Sequence, residues 1–258
     1  MMTAPDFEKK MLVFVFLNKG EKVTFSNDNL IVKTKDEQIR LQTTCYRVFA
    51  LFIVGSFTLT TGIIQRAHKF DFPIFLLTQS VKIYDKLGHS MEGNVVLRKK
   101  QYAYSGLSIA KLIVKNKTQN QLLLLKNEFR EKDELLKRDI KKISELISSV
   151  DLVENNLQEL LGIEGNCAKI FFKHHFNNVE WNGRKPRVKL DYINSALDIG
   201  YSILFNLVDA LLGIYGFDTY CGVLHKEFYM RKSLVSDLVE PFRVLIDAQV
   251  RKSINLDR

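Results

Sequence analysis

Three short segments in the second half of the chain each place a residue able to bind a metal beside a glycine or proline. The segments are 162–165, 222–225 and 237–243, and their candidate ligands are Glu164, His225 and Glu240. A charged side chain in apolar sequence is costly unless it is paired or coordinated. Two carboxylates and one imidazole suit Mg²⁺ or Mn²⁺ better than zinc, which favours sets of His and Cys. These residue types therefore indicate a divalent-metal site of the kind that serves phosphodiester chemistry.

Asp237 lies three residues before Glu240, so on a helix the two carboxylates share one face, with Cβ atoms about 5–6 Å apart. Asp237 is therefore expected either to support Glu240 or to replace it as a ligand. Pro241 removes an N–H donor where Glu240 must face the site. Glu164 is expected to begin a helix, with glycines on both sides allowing close backbone approach. Plainer interpretations stay open, since Glu164 can act as a capping partner and Asp237 can pair with a nearby arginine.

The tandem pair His174–His175 is a competing metal candidate. No cysteine or third histidine lies near it in the sequence. We interpret it as a solvated pair or one packed against aromatic rings.

The chain is basic, with 38 Lys and Arg against 29 Asp and Glu and a formal net charge of +9. That excess suits a polyanionic partner such as DNA. The segment 111–145 carries part of it, either as a solvated helix face or as a DNA-facing surface. Candidate phosphate contacts, which could equally serve solubility, are Lys169, Lys173, Arg184, Lys185, Arg187 and Lys189.

Cysteine usage and apolar segments indicate a cytoplasmic protein. The three cysteines (Cys45, Cys167, Cys221) are widely spaced, which argues against disulfides and a zinc finger and favours buried, reduced thiols. The apolar segment 48–64 falls short of the roughly 20 residues that a membrane-spanning helix needs. No signal peptide is evident in the first ten residues. We therefore expect no membrane partner.

The hydrophobic pattern changes its period about residue 100. Short β-branched and aromatic runs predict strands at 11–17, 22–25, 30–33, 39–41, 48–54, 74–77 and 81–84, with one helix at 61–70. From about residue 105 the period is helical, with helices expected at 109–129, 136–147, 153–161, 164–176, 191–213 and 233–252. The sequence predicts an α+β fold, a β-sandwich of antiparallel sheets over 1–100 followed by an all-helical domain over 101–258.

Four motifs spread over most of the chain resemble those of the CRISPR adaptation integrase family, the endonuclease subunit nearly universal to CRISPR systems. They are a Gly-x-Glu-Gly element within 161–172, a Pro…Asp-x-x-Asn…Leu…Gly-Tyr pattern over 186–201, a Gly-x-Asp-x-Tyr-x-Gly-x-x-His element at 216–225, and Ser-Leu-Val-x-Asp-Leu-x-Glu-Pro-Phe-Arg at 233–243. The helix at 109–121, ending Lys-Thr-Gln-Asn-Gln, also matches. Together the motifs are highly specific, although each alone is weak.

The resemblance implies an N-terminal β-sandwich, a helical catalytic domain, and metal-ligand and catalytic roles for Glu164, His225 and Glu240, with Asp237 close by. It also implies a homodimer that captures short duplex DNA and inserts it into a repeat array by metal-assisted transesterification, as part of antiviral defence. A small ferredoxin-like partner protein is usual in the family. Dimerisation is expected through the β-domain, with residues 11–17 and 48–54 as contact candidates that could equally fill its core.

Two other functions stay open. One is a metal-dependent nuclease that cuts branched or single-stranded DNA at the same site without integration. The other is a non-catalytic DNA-binding scaffold. The chain ends 18 residues after Glu240, where many members of the family continue, so we expect a short or C-terminally truncated variety.

Overall fold

The computed structural model describes residues 4–58, 60–88, 93–128, 134–177, 179–186, 188 and 191–256. The chain divides into two compact units, one of residues 1–98 with 209–217 and the other of residues 99–208 with 218–258. The division falls near the predicted boundary at residue 100. It also assigns residues 209–217, which include the end of the helix Tyr192–Tyr215, to the first unit. A single boundary at residue 100 would leave these residues in the second unit.

The first unit is built from two sheets that enclose one core. Its strands are β1 (Met11–Phe16), β2 (Lys22–Ser26), β3 (Asn29–Lys33), β4 (Ile39–Thr44), β5 (Val48–Val54), β6 (Ile74–Leu77) and β7 (Ile83–Leu87). One sheet has the order β1-β5-β6-β7 and the other β2-β3-β4. Side chains from both sheets, including Val15, Val32 and Ile53, meet in one buried cluster. The predicted sandwich is therefore confirmed.

The prediction that both sheets are antiparallel is wrong for the larger one. Strand β5 pairs in parallel with β1 and with β6, and only β7 is antiparallel. All seven residues of β5 are buried, as is typical of a strand covered on both faces. Helix α2 (Thr61–Lys69) supplies the crossover that a parallel β5–β6 pair requires. By contrast, β2 and β3 form a tight hairpin with Asn27 and Asp28 in the left-handed region.

The second unit is helical. Across both units, the described residues form the helices α1 (Ala4–Lys9), α2, α3 (Val95–Ala103), α4 (Ser108–Glu128), α5 (Glu134–Ser149), α6 (Leu157–His175), α7 (Tyr192–Tyr215), α8 (Ser233–Val239) and α9 (Arg243–Leu256). Helices α4, α5 and α6 pack against one another around a shared apolar cluster. The helix predicted at 136–147 is confirmed as part of α5, which buries Leu136, Ile143 and Ile147 along one face.

The predicted break between residues 161 and 164 is wrong, because α6 runs unbroken from Leu157 to His175. Its true start is capped by Asn156, whose side chain accepts hydrogen bonds from the backbone N–H groups of residues 158 and 159. Each glycine inside a helix costs about 1 kcal/mol relative to alanine. Burial of residues such as Ile163, Cys167 and Phe171 on one face offsets that cost.

The predicted helix 233–252 is interrupted by a 3₁₀ turn at Glu240–Phe242, which separates α8 from α9. Pro241 causes the interruption because it has no N–H to donate within the helix. The carbonyl of Pro241 accepts a hydrogen bond from the Asn120 side chain of α4 at 2.9 Å. The turn that carries Glu240 is therefore tied directly to α4.

Among the described helices, α7 alone is long and apolar enough to cross a membrane by length and composition. A helix in the core of a soluble protein meets the same two criteria. Several of its side chains, among them Ile193, Leu197 and Tyr201, are buried within the protein.

Candidate active site

Asp237 organises the loop that carries His225. Its carboxylate is fully buried and accepts four hydrogen bonds. Oδ2 accepts from the backbone N–H groups of Val223 at 2.6 Å and Leu224 at 2.9 Å. Oδ1 accepts from the backbone N–H of His225 at 2.9 Å and from its ring Nδ1 at 2.6 Å. The ion pair with an arginine that the sequence left open is thus replaced by contacts to residues 223–225.

The Asp237 contact fixes the tautomer of His225. An ionised carboxylate only accepts hydrogen bonds, so Nδ1 at 2.6 Å carries the proton. The lone pair of the neutral ring then lies on Nε2, an atom through which imidazole binds metals. A carboxylate behind a metal-binding histidine is a recurrent arrangement in metal sites.

Gly222 allows this close packing. A Cβ at this position would lie 2.7 Å from Cβ of Ser233 and 2.8 Å from Oδ2 of Asp237, and both neighbours are fully buried. Contacts this short force the surrounding side chains to shift. Gly222 is therefore required by the approach of the loop to α8.

We expect Gly222→Ala to lower the free energy of unfolding by about 1–3 kcal/mol, as an overpacked core position does. Gly162→Ala is the matched control, because a Cβ there meets no atom within 4 Å. In an exposed helix interior the control is expected to gain up to about 1 kcal/mol. Urea denaturation of both variants measures the difference, and equal stability of Gly222→Ala and wild type would contradict the packing described.

Glu164 and Glu240 face the same ammonium. Lys117 on α4 donates hydrogen bonds to Oε1 of Glu164 and to Oε2 of Glu240. Glu164 lies in the middle of α6, so the expectation that it begins a helix is wrong. Nothing lies within 4 Å of a Cβ at Gly162 or Gly165, so these glycines make no close approach. The two carboxylates are brought together by a lysine that was not among the predicted site residues.

Charges around Glu240 keep it ionised despite its burial. Burial disfavours the ionised carboxyl, but the positive charges of Lys117 and Arg243 outweigh that effect and lower the pKa of Glu240. A positive charge on the His225 ring, when it is protonated, makes a smaller contribution in the same direction to the pKa of Glu240. Burial likewise disfavours the Lys117 ammonium, while Glu240 and then Glu164 raise its pKa. The cluster is charged but internally compensated.

Arg243 holds the second oxygen of Glu240. Its Nε donates to Oε1 of Glu240 at 3.0 Å, and its guanidinium lies 4.6 Å from the ring centre of Tyr201. The Tyr201 hydroxyl donates to the buried Asp247, whose pKa burial raises to about 6. Both oxygens of Glu240 are thus held by cations, which fixes the orientation of its carboxylate.

The predicted ligands therefore meet only in part. Glu164 and Glu240 share one ammonium, and His225 is held by Asp237, three residues before Glu240. Across the residues that the structure describes, no three His, Cys, Asp or Glu side chains are placed to hold one ion. The position between the two glutamates belongs to Lys117.

The predicted phosphate contacts differ in their surroundings. Arg184 is mostly buried, paired with Asp198 and lying 5.3 Å from the Tyr201 ring centre, so it also serves the interior. Lys169 and Lys185 are exposed, and Lys173 is exposed in an ion pair with Asp139. Arg187 and Lys189 lie outside the described residues. A DNA contact by any of them stays a prediction.

The tandem histidines are packed rather than solvated. His175 is fully buried and stacks on Phe171 with ring centres 4.7 Å apart. His174 is buried and its Nε2 lies 2.7 Å from Asp139. The aromatic-packed interpretation is confirmed for His175. All three cysteines are free, as predicted, and burial raises the pKa of each thiol to about 11. Cys45 and Cys167 are buried, but the prediction of a buried thiol is wrong for Cys221, which is only half-buried.

Known structures share this fold. A casposase bound to integration product superposes with a TM-score of 0.73 at 22% identity, covering 95% of this chain and 73% of the casposase chain. A chain of a partial Cas6-RT-Cas1–Cas2 complex gives 0.65 at 23% identity, covering 94% of this chain and 76% of the other. At these identities the similarity establishes the fold alone.

Sequence comparison establishes the family. Residues 14–258 match the model of CRISPR associated protein Cas1, and the chain belongs to that family. The CRISPR-associated endonuclease Cas1 1 of Archaeoglobus fulgidus is 28% identical, over 87% of this chain and 72% of the relative. The Cas1 1 endonuclease of Thermodesulfovibrio yellowstonii is 30% identical, over 76% of this chain and 65% of the relative. The resemblance to the CRISPR adaptation integrase family is therefore confirmed.

Proposed function

We propose that this protein is a cytoplasmic, metal-dependent DNA integrase that inserts short duplex DNA into a CRISPR repeat array by transesterification. The observation that carries the proposal is the meeting of Glu164 and Glu240, from separate elements, together with a histidine oriented by Asp237, three residues before Glu240. Family membership supports it. The name of the casposase structure, which includes an integration product, supports the same reaction class.

The residues fit Mg²⁺ or Mn²⁺ by the chemistry of their donors. Glu164 and Glu240 supply carboxylate oxygens, and His225 supplies Nε2 because its Nδ1 proton is committed to Asp237. The shared ammonium of Lys117 marks the space between the carboxylates as a cation position. Glu164, His225 and Glu240 would hold the ion. When bound, it would polarise the target phosphate and neutralise charge that develops in the transition state.

The protein's own groups position the reactants. Asp237 and Arg243 hold His225 and Glu240 in fixed orientations, which limits reorganisation during the reaction. The 3′-oxygen of the captured strand bonds to the target phosphorus, and the 3′-oxygen of the cut target strand leaves. The attacking hydroxyl loses its proton to solvent, and the leaving oxygen takes up a proton from solvent. One phosphodiester bond forms as one breaks, and because the 3′-hydroxyl attacks the phosphorus directly, no covalent intermediate with the protein is needed.

Basic and aromatic side chains beside the site support DNA as the partner. The loop after His225 exposes Lys226 and Arg231, and between them Phe228 and Tyr229. Cations next to exposed rings suit nucleic acid, because phosphates and bases are bound together. The chain's net charge of +9 adds a long-range attraction.

The test offers a repeat-bearing plasmid and a short duplex with either a free 3′-hydroxyl or a 3′-dideoxy end. Integration predicts joined products with the free hydroxyl only, in the presence of Mn²⁺. Equal plasmid nicking with both duplexes and no joined product would identify the alternative, a nuclease that uses water. Identical behaviour with Mn²⁺ and with EDTA would identify a DNA-binding scaffold.

We also propose a homodimer formed through β1, together with a small ferredoxin-like partner protein. Leu12, Phe14 and Phe16 alternate with core residues on this edge strand and are 43%, 37% and 55% exposed. An exposed apolar edge strand favours pairing with a second copy. Residues 48–54, the other candidate contact, are buried throughout and fill the core. The Cas1–Cas2 composition of a structurally similar complex supports the second partner.

Replacing Leu12 and Phe16 with glutamate is expected to give a monomer, because two charges would then line the proposed contact. Light scattering at tens of micromolar should report twice 29.9 kDa for wild type and one chain mass for the double variant. Tyr84→Glu on β7 is the control, since it adds a charge to another exposed strand position. A double variant that remains dimeric would place the interface elsewhere.

A further inference from the structure

Lys117 lies on the face of α4 that packs against the core of the helical unit. The buried face of α4 is formed by Ala110, Ile113, Val114, Gln121 and Leu125, and Lys117 falls on that face at helical spacing. The lysine is 8% exposed. A buried ammonium carries a desolvation cost of several kcal/mol unless opposite charges compensate it. The compensation comes from Glu164 and Glu240 together.

The charges of this cluster balance without an ion. Lys117 and Arg243 contribute two positive charges, and Glu164 and Glu240 contribute two negative ones. A divalent ion bound by both carboxylates would need the position between them that the Lys117 ammonium occupies. Two cations within a few ångströms repel strongly in a partly buried site. Lys117 and a metal therefore compete for the same oxygens.

We propose that Lys117 is a positioning residue that holds the Glu164–Glu240 pair together in the metal-free protein and is displaced when the ion binds. This rests on the proposed function, since it concerns the same metal site. The lysine keeps the two carboxylates from repelling each other before the ion arrives. Its displacement opposes ion binding, so the affinity for the ion is lower than the donors alone would give. The freed ammonium then lies beside the site where DNA phosphate is expected.

The test measures Mn²⁺ binding in Lys117→Gln by the electron paramagnetic resonance signal of free Mn²⁺, without any DNA. Loss of the competing charge is expected to tighten the dissociation constant at least about tenfold. The melting temperature without metal is expected to fall, and saturating Mn²⁺ is expected to raise it more than in wild type. Lys115→Gln is the matched control on the same helix, because Lys115 pairs with Asp151 near the surface and contacts neither glutamate. The control should bind Mn²⁺ as wild type does.

Unchanged or weaker Mn²⁺ binding by Lys117→Gln, with normal binding by wild type, would overturn this proposal and leave the proposed function intact. Absence of Mn²⁺ binding by wild type at millimolar concentration would overturn the proposed function, and this proposal with it. If Lys117→Gln fails to fold, Lys117→Arg decides the matter. Because it keeps the charge, its dissociation constant should stay within about threefold of wild type, and a tenfold tightening would refute charge competition.

Discussion

Glu164→Gln is expected to reduce strand transfer about 10²–10³-fold, the loss typical of removing one electrostatic contact that stabilises a transition state. Glutamine keeps the size of the side chain and an oxygen that can accept from Lys117, but it lacks the charge that a divalent ion requires. The Glu164 side chain is 20% exposed, so the substitution leaves no deeply buried orphan group. The unfolding free energy should nevertheless fall, because the buried Lys117 ammonium keeps only Glu240 as a charged partner.

The matched control is Glu159→Gln, an exposed glutamate in the first turn of the same helix. It removes the same charge from α6 and should cost only about 0.3–1 kcal/mol of stability through the helix dipole. Strand transfer by the control should equal that of wild type. Activity of Glu164→Gln within about threefold of wild type would show that Glu164 does not touch the reacting groups.

Asp237→Asn is expected to have the largest effect on both stability and metal affinity. The buried carboxylate accepts four hydrogen bonds, and an amide has only one oxygen to accept them. Each buried N–H left without an acceptor costs about 1–3 kcal/mol. The side-chain NH₂ of the introduced asparagine would face two N–H donors, and neither would then have an acceptor. A loss of about 2–5 kcal/mol in the unfolding free energy follows.

The same substitution should release the His225 ring from its fixed tautomer. Removal of a carboxylate that orients a metal-binding histidine weakens metal affinity about 10–100-fold. Titration calorimetry with Mn²⁺ and thermal denaturation measure the two effects. Asp151→Asn, an exposed carboxylate paired with Lys115, is the control and should alter neither quantity. Full metal affinity in Asp237→Asn would contradict the positioning of His225 by Asp237.

The sequence predicts those parts of the fold that depend on local pattern. Strand β5 is a continuous apolar run, and α5 carries apolar residues at helical spacing. Pro241 was recognised as a missing N–H donor, but the helix 233–252 was predicted without the 3₁₀ turn that separates α8 from α9. The predicted antiparallel direction of β5 relative to its neighbours is wrong, because the direction of strand pairing depends on the crossovers between strands and not on composition. The prediction also missed the continuity of α6. It treated the two glycines as a break, although the apolar face on which the helix packs continues past them.

Lys117 shows why the site could be predicted only in part. The residue is 47 positions from Glu164 and 123 from Glu240, so no local spacing links them. One signal was available, because a lysine at an apolar helical position must find buried partners. The surplus of lysines in 111–145 favoured a solvated or DNA-facing surface instead. Asp237 was placed beside the ligands, but its hold on residues 223–225 depends on the approach of a loop that only Gly222 permits.

The central claim is that one divalent ion is held by Glu164, His225 and Glu240, and electron spin echo modulation of bound Mn²⁺ tests it most directly. Comparing protein with ¹⁵N-labelled histidine and unlabelled protein shows whether the coupled nitrogen belongs to a histidine. The chain has five histidines, so a His225 variant identifies which one binds. We predict coupling to one directly bound imidazole nitrogen in wild type and its loss in His225→Ala. Absence of nitrogen coupling in Mn²⁺-saturated wild type, or its persistence in His225→Ala, would contradict the claim.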